Sequence, residues 1–497
     1  YYLEQRPVIN YESIGPSMKS YTEFYIGNEW VKPSSTDQLS VINPFTEQVI
    51  ATVPEGKEAD IDLAVSAAKE AFDQGPWPKM APNERAKCMT QLSELLKANA
   101  DSIASTVTSE MGSPMSFSPG GQAFAPIMVL DYYIELADSF PFEETRQGLL
   151  NPVKVFREPV GVVAIISPWN FPTATAVWKI APALAFGNAV IWKPANLVPA
   201  SAVALTEIVA RQDIPHGLFN LVMGPGGDIG HQLAKSPAVD AISFTGSLDV
   251  GKQIAGAAVA NLTKVQMEMG SKNALAIMDD SDLDLAVAAA LGGAFGGTGQ
   301  KCTASSRLVV HEKIHDEFVD RLVASASAMR VGHALQDGTQ IGPVVSAGQL
   351  AENLRWVDIA KQEGGDILCG GETVSREHEG YYMTPCVVAG TKNDWRVNRA
   401  SRANHARKTG EEWITERLTA LNCRSSKGGL TASRRSDSNS RRVWSYKCYS
   451  LNRNSLLRPH RYLTSRTLLP EYVSNRYFPG SQIAPRGRPF LAYSDQE

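Results

Sequence analysis

PVGVVAIISPWNFP, residues Pro159 to Pro172, decides the fold. It is a continuous apolar run closed by a turn, without the polar alternation of a strand that has one wet face, so it reads as a strand buried on both sides. NAVIWKPAN (Asn188 to Asn196), FNLVMG (Phe219 to Gly224) and AISFTG (Ala241 to Gly246) repeat the plan, with helical stretches at Ala174 to Ala185 and Ser201 to Arg211 between them. Apolar strands alternating with amphipathic helices predict an α/β fold with a parallel sheet covered on both faces. Ligands bind at the carboxyl ends of such strands. The candidates for binding are therefore the polar residues just past each strand: Asn170, Lys193, the stretch Gly224 to Gly230, and Gly246-Ser247.

Working toward the C-terminus, KVQMEMGSKNALAIMDDSDLD (Lys264 to Asp284) sets Glu268 between Met267 and Met269. If the strand buries it, its pKa rises and it suits a general base; if the strand lies at an edge, it is a carboxylate facing water. AIMDD reads as a further strand and Asp282 to Phe295 as an Ala/Gly-rich helix leading into FGGTGQKCTASSR, Phe295 to Arg307. There Cys302 stands among Gly296, Gly297 and Gly299, with Lys301 beside it. A reactive thiolate needs partial exposure and a nearby positive charge, and small neighbours let a carbonyl approach; a buried core cysteine is the plain alternative. Gly246 and Ser247 in FTGSLDVG (Phe244 to Gly251) offer the free N–H groups of a helix start to an anion, although the segment is not the G-x-G-x-x-G fingerprint. SRLVVHE, a helix from His315 to Met329, the turn IGPVVS, a helix from Ala347 to Glu363, and the strands ILCGGE and GYYMTPCVV predict a second sheet domain.

Upstream, residues 1 to 20 read as a loose tail and FYIGNEW as a hairpin turned at Gly27-Asn28. A surface helix covers Ala59 to Phe72, and one long helical region runs from Pro82-Asn83 to Gly112-Ser113-Pro114. By spacing alone, Tyr132, Tyr133 and Trp169 are core aromatics. With 497 residues the chain divides into two or three domains. At 43% hydrophobic, 20% charged and a net charge of −4, it gives no reason to expect nucleic acid or an anionic membrane as partner. Its six cysteines form no C-x-x-C pair and have no nearby His at ligand spacing, which argues against a zinc site and a disulfide framework and fits a reducing compartment. No apolar run is long enough to span a membrane, so a cytoplasmic protein is expected.

PWNFP, KPA, FTGS-x-x-VG, MEMG-x-K and GQKC, in that order across residues 160 to 310, resemble the NAD(P)-dependent aldehyde dehydrogenase superfamily, and the resemblance covers roughly residues 20 to 395. It implies a parallel-sheet dinucleotide-binding domain (21–140 and 160–269), an oligomerisation arm (141–159) and a second α/β catalytic domain (270–395). Cys302 is then the nucleophile, Asn170 with the Cys302 N–H the oxyanion hole, Glu268 the base that activates water, and Lys179 part of a proton relay. NAD or NADP is the implied cofactor. Lys193 contacts its ribose and Ser247 its pyrophosphate, with Asn196, Pro168, Trp169, Gly226, Gly230, Phe244, Gly246, Val250, Met269 and Gly270 around it. Phe171, Trp178, Lys301 and Thr303 face the aldehyde, a small molecule, and a homodimer or homotetramer is the implied assembly; no metal is. From Lys179 to about Lys392 the chain is most similar to 2,5-dioxovalerate (alpha-ketoglutaric semialdehyde) dehydrogenases, whereas SEMGSP and SFPFEE resemble general bacterial aldehyde dehydrogenases.

Three departures qualify what the resemblance implies. Asn196 stands where NAD-preferring relatives often carry a Glu that would repel a 2′-phosphate, which predicts tolerance of NADP. Ser271 replaces the second glycine of Gly-Gly-Lys. After TKNDWRVNR the acidic E-x-x-F-G-P turn is absent, and residues 396–497 become an anomalous segment in which roughly one residue in six is Arg. A composition break inside a motif reads as translation in a shifted frame; a genuine basic tail is the alternative, and would leave the second domain without its last strands. The competing functional reading is a catalytically impaired or non-catalytic relative.

Overall fold

The strand Val162–Ile166 is buried at all five positions, as its unbroken apolar sequence requires, and a sheet grows from it in both directions. In this computed structural model the described residues are 19–399, except 271, 377 and 378, together with the backbone of Ile414–Leu418 and Trp444–Tyr446. The seven-stranded sheet runs Lys264–Met269, Ala241–Gly246, Val162–Ile166, Ala189–Lys193, Phe219–Leu221, Phe24–Ile26, Glu29–Val31. Its first five strands are parallel. The last two form an antiparallel hairpin, turned at Gly27 and Asn28, whose φ values of 60° and 61° are those a tight hairpin needs. The chain leaves Val162–Ile166 toward Ala189–Lys193 on one side and returns to Ala241–Gly246 on the other, so the crevice outside these carboxyl ends is a topological switch point. The loops at residues 167–171 and 246–247 open onto it.

Helices predicted from the apolar period are present within a few residues of their expected ends: Glu58–Asp73, Pro172–Ala185, Pro199–Val209, Leu283–Phe295, His315–Ser327 and Ala347–Gln362. The long region from Pro82 is two helices, Pro82–Ala98 and Ala100–Met111. They part at Asn99, whose Nδ2 donates to the Leu95 carbonyl at 2.7 Å and so competes with helix continuation. Gly112, at φ 82°, ends the second of them. Tyr132 also departs from expectation: it lies on an outer helix face and is 40% exposed.

One core cluster gathers buried residues from Phe24 to Ala258, with Val345. A second gathers Leu275 to Val387 and takes in Phe45. The second sheet has six strands in the order Asp366–Cys369, Val387–Ala389, Ile414–Leu418, Arg307–His311, Ala274–Ile277, Trp444–Tyr446. Two of these strands come from beyond residue 396. The backbone of Ile414–Leu418 pairs in parallel with Arg307–His311 along five residues, and Trp444–Tyr446 pairs antiparallel with Ala274–Ile277. The rest of the anomalous segment, like the N-terminal tail, lies outside the described residues. Glu143–Gln147 and Pro152–Phe156 form a separate two-stranded hairpin. Among the described residues, no helix is long and apolar enough to cross a membrane.

Candidate active site

The loop after Val162–Ile166 carries Pro168, Trp169, Asn170 and Phe171 into the switch-point crevice. It is pinned from Gln122, whose Nε2 donates to the Asn170 carbonyl at 2.9 Å and whose own carbonyl accepts from Thr173 Oγ1 at 2.6 Å. Phe171 caps the helix Pro172–Ala185 and meets Phe117 edge to face, ring centres 6.0 Å apart. Two turns into that helix, Trp178 is 41% exposed and Lys179 is buried. Lys179 Nζ donates to Ser243 Oγ at 3.1 Å. Burial lowers its pKa to about 8, against the opposing pull of the Glu268 carboxylate and the Cys302 thiolate.

Of the two readings left open for Glu268, the structure has the edge strand. Lys264–Met269 is the edge strand, and Glu268 points to its exposed face beside Gln266. Its parallel register partner is Thr245.

Cys302 comes from the other sheet. The helix Leu283–Phe295 ends, and Gly297, Thr298 and Gly299 follow at φ 66°, 59° and 70°. Three consecutive left-handed residues account for the glycines, and Thr298 adopts that conformation at a cost. Its Oγ1 accepts from the Gly342 N–H at 2.9 Å, and Gln300 Oε1 accepts from the Val345 N–H at 3.0 Å. Asn273 Nδ2 donates to the carbonyls of Cys302 (2.8 Å) and Ala304 (3.2 Å). Cys302 is thereby held half-buried, with Thr303 exposed next to it. Lys301 is turned inward: its Nζ donates to the Gly292 carbonyl at 2.9 Å and lies 5.9 Å from the Phe117 ring centre. A cleft of about 540 Å3 opens beside this loop, lined by Ser116, Phe117, Leu291, Gly292, Gly296 and Gly297 among others.

On the cofactor side of the prediction, Lys193 ends its strand 3% exposed, and burial lowers its pKa to about 8. Its Nζ donates to Asn196 Oδ1 at 3.2 Å. A Cβ on Gly226, the first residue of the helix Gly226–Lys235, would sit 3.5 Å from that amine, so the glycine leaves the space in front of it open. Gly230 is buried within the same helix. Ser247 caps the helix Leu248–Ala258 by accepting from the Val250 N–H at 3.4 Å. Phe244 is core, 2% exposed. With Met269 it lies beneath the turn, and a Cβ on Gly246 or Gly251 would strike one or both of them at 2.6–2.8 Å. Gly270 follows Met269, and Ser271 lies outside the described residues.

Residues 30–401 match the Aldehyde dehydrogenase family along three-quarters of the chain. The chain belongs to that family. It is 35% identical over 380 residues to the betaine aldehyde dehydrogenase of Bacillus subtilis, covering 75% of this chain and 76% of that one. It is 36% identical over 383 residues to the alpha-ketoglutaric semialdehyde dehydrogenase of the same organism, covering 76% and 77%. Among solved structures, the aldehyde dehydrogenase of Bacillus cereus in its NAD+ complex superimposes with a TM-score of 0.76 at 30% identity, covering 81% of this chain and 80% of that one.

Set in this aldehyde dehydrogenase fold, the four predicted catalytic positions fall in two places. Asn170, Lys179 and Glu268 belong to the seven-stranded sheet and its helix, and Cys302 to the loop before the strand Arg307–His311 of the second sheet. Sequence reading passed over Gln122, Ser243 and Asn273, which bond Asn170, Lys179 and Cys302, and Gln266, which bonds Ser243. Asn273 carried a usable signal, being a lone amide next to a strand start and close to the MEMG motif. The other three are ordinary polar residues whose partners are distant in sequence.

Proposed function

We propose that this chain oxidises a small aldehyde to its carboxylic acid with NAD or NADP through Cys302. The observation that carries this is the half-buried Cys302, its carbonyl held by Asn273 Nδ2 at 2.8 Å on a glycine-rich loop, in a chain of the aldehyde dehydrogenase family. Cys302 Sγ attacks the aldehyde carbon and forms a thiohemiacetal, whose oxyanion is received by the Asn170 carboxamide and the Cys302 N–H. NAD(P), held at Lys193, Gly226 and Ser247, would supply the hydride acceptor that converts the thiohemiacetal to a thioester on Cys302. Glu268 removes a proton from the water that hydrolyses the thioester, and Lys179 relays protons. The residues fit the dinucleotide: the open space over Gly226 and the buried Lys193 amine suit a ribose, and the helix start at Ser247 suits a pyrophosphate. Asn196 carries no charge to repel a 2′-phosphate, which supports use of NADP as well. The test is alkylation with iodoacetamide alongside coenzyme reduction by a simple aldehyde. Cys302 is expected to react before the other five cysteines; equal labelling with no coenzyme reduction rejects the reading.

The substrate class we favour is a semialdehyde such as 2,5-dioxovalerate. The name of one relative supports it. Lys301→Ala should raise KM for acidic aldehydes more than for neutral ones; equal effects would confine Lys301 to holding the end of its helix. A homodimer or homotetramer is supported by the hairpin arm, whose tip presents Leu149 and Leu150 at 99% and 86% exposure, and light scattering would show a monomer if the arm pairs with nothing.

A second reading, an impaired enzyme, is favoured by one observation: the family match ends at residue 401, where the composition changes. Sequencing the coding DNA across codons 385 to 497 tests it. A frame that restores an acidic E-x-x-F-G-P turn assigns the full mechanism to the corrected chain, and no such frame leaves the segment as this protein's own.

A further inference from the structure

The face of the edge strand pair that carries Glu268 holds a second polar pair one step back. In the parallel register, Ser243 lies opposite Gln266 and Thr245 opposite Glu268. Residues two apart on a strand share a face, so Ser243, Gln266 and Glu268 present their side chains on the same side. Ser243 is 8% exposed, and its hydroxyl donates to Gln266 Oε1 at 2.8 Å. A serine hydroxyl has one proton to give. With that proton committed to Gln266, Ser243 Oγ can only accept from the Lys179 amine, which lies 3.1 Å away.

We propose that Ser243 and Gln266 are positioning residues for the reaction: a cross-strand hydroxyl–amide pair offers Lys179 a fixed acceptor and holds its amine beside Glu268 and Cys302. This rests on the function proposed above and adds two residues to it. The arrangement fixes direction as well as place. One Lys179 N–H is spent on Ser243, which leaves the others for the Glu268 and Cys302 charges that act on the amine. The amine accordingly takes and returns protons at one position. In a purely structural role, the pair would satisfy a buried hydroxyl and leave the lysine's proton affinity alone.

The experiment is trace acetylation of the full chain with acetic anhydride across a pH series, with the Lys179 peptide read by mass spectrometry, in wild type, Ser243→Ala, Ser243→Thr and Gln266→Glu. Loss of an acceptor from a buried ammonium disfavours the charged form, so Ser243→Ala should lower the proton affinity of Lys179 by roughly threefold or more. Ser243→Thr keeps the hydroxyl and should restore it. Gln266→Glu places a carboxylate behind that hydroxyl and should raise it. An unchanged Lys179 titration in both Ser243→Ala and Gln266→Glu overturns the proposal, and the Thr and Glu variants keep that outcome accessible if the alanine variant fails to fold. Iodoacetamide labelling of the same wild-type sample separates the two claims. Selective reaction at Cys302 with an unmoved Lys179 rejects only the positioning pair, whereas unselective labelling rejects the underlying reading and the proposal with it.

Discussion

The two sheets are assembled on different terms. The seven-stranded sheet draws all its strands from residues 24–269, and Val162–Ile166, Ala189–Lys193 and Phe219–Leu221 are buried at every position. The six-stranded sheet has alternately buried strands and places Ile414–Leu418, from beyond the family match, between Val387–Ala389 and Arg307–His311. The first is a filled core that orders whatever stands at its strand ends. The second buries alternate positions, and the Cys302 loop it carries is held by side-chain hydrogen bonds from Thr298, Gln300 and Asn273. The nucleophile is thus the part of the site most exposed to loss of a single polar contact.

The largest effect that sharpens this contrast comes from the nucleophile itself. Cys302→Ser should reduce aldehyde-dependent NAD(P)H formation by ~10³-fold or more, measured as initial rate. Asn273→Ala should come next. It leaves two loop carbonyls without their donor and lets the nucleophile wander, which is expected to lower kcat/KM about 10- to 100-fold while the coenzyme Kd stays constant. If coenzyme binding weakened equally, the division between the two sheets would be broken.

On the first sheet the changes are smaller because the scaffold stays intact. Asn196→Glu puts a carboxylate beside Lys193 and should raise the NAD-over-NADP ratio of kcat/KM about tenfold, close to 1.4 kcal/mol; no change in the ratio would place Asn196 away from the ribose. Lys179 and Lys193 make a stability prediction. Their folded pKa values, about 8, lie below that of an unfolded lysine, so the unfolded chain binds more protons from about pH 8 to the ordinary lysine range. Stability should therefore rise with pH through that window, by on the order of 1 kcal/mol per lysine between pH 7 and 9, and Lys193→Met should flatten the rise in urea unfolding. A wild-type stability that falls across this window would contradict the burial of both amines.

The same contrast explains what could be read in the sequence. PVGVVAIISPWNFP and NAVIWKPAN are legible because burial on both faces demands unbroken apolar residues, and the motif residues follow at their ends. The break at Asn99 depends on one side-chain hydrogen bond to Leu95, and the exposure of Glu268 on which strand falls at the sheet edge; neither has a local signature. Ile414–Leu418 was hidden for a related reason. A short strand set between two others is chosen by its neighbours, and its own five residues show no period.

The most direct test of the account is to mix the chain with an aldehyde and oxidised coenzyme, quench in acid, digest, and weigh the Cys302 peptide in wild type and in Glu268→Gln. The account predicts an acyl mass on Cys302 that accumulates in Glu268→Gln, where the water lacks its base. Coenzyme reduction without acyl mass on Cys302, or no reduction at all, would contradict it.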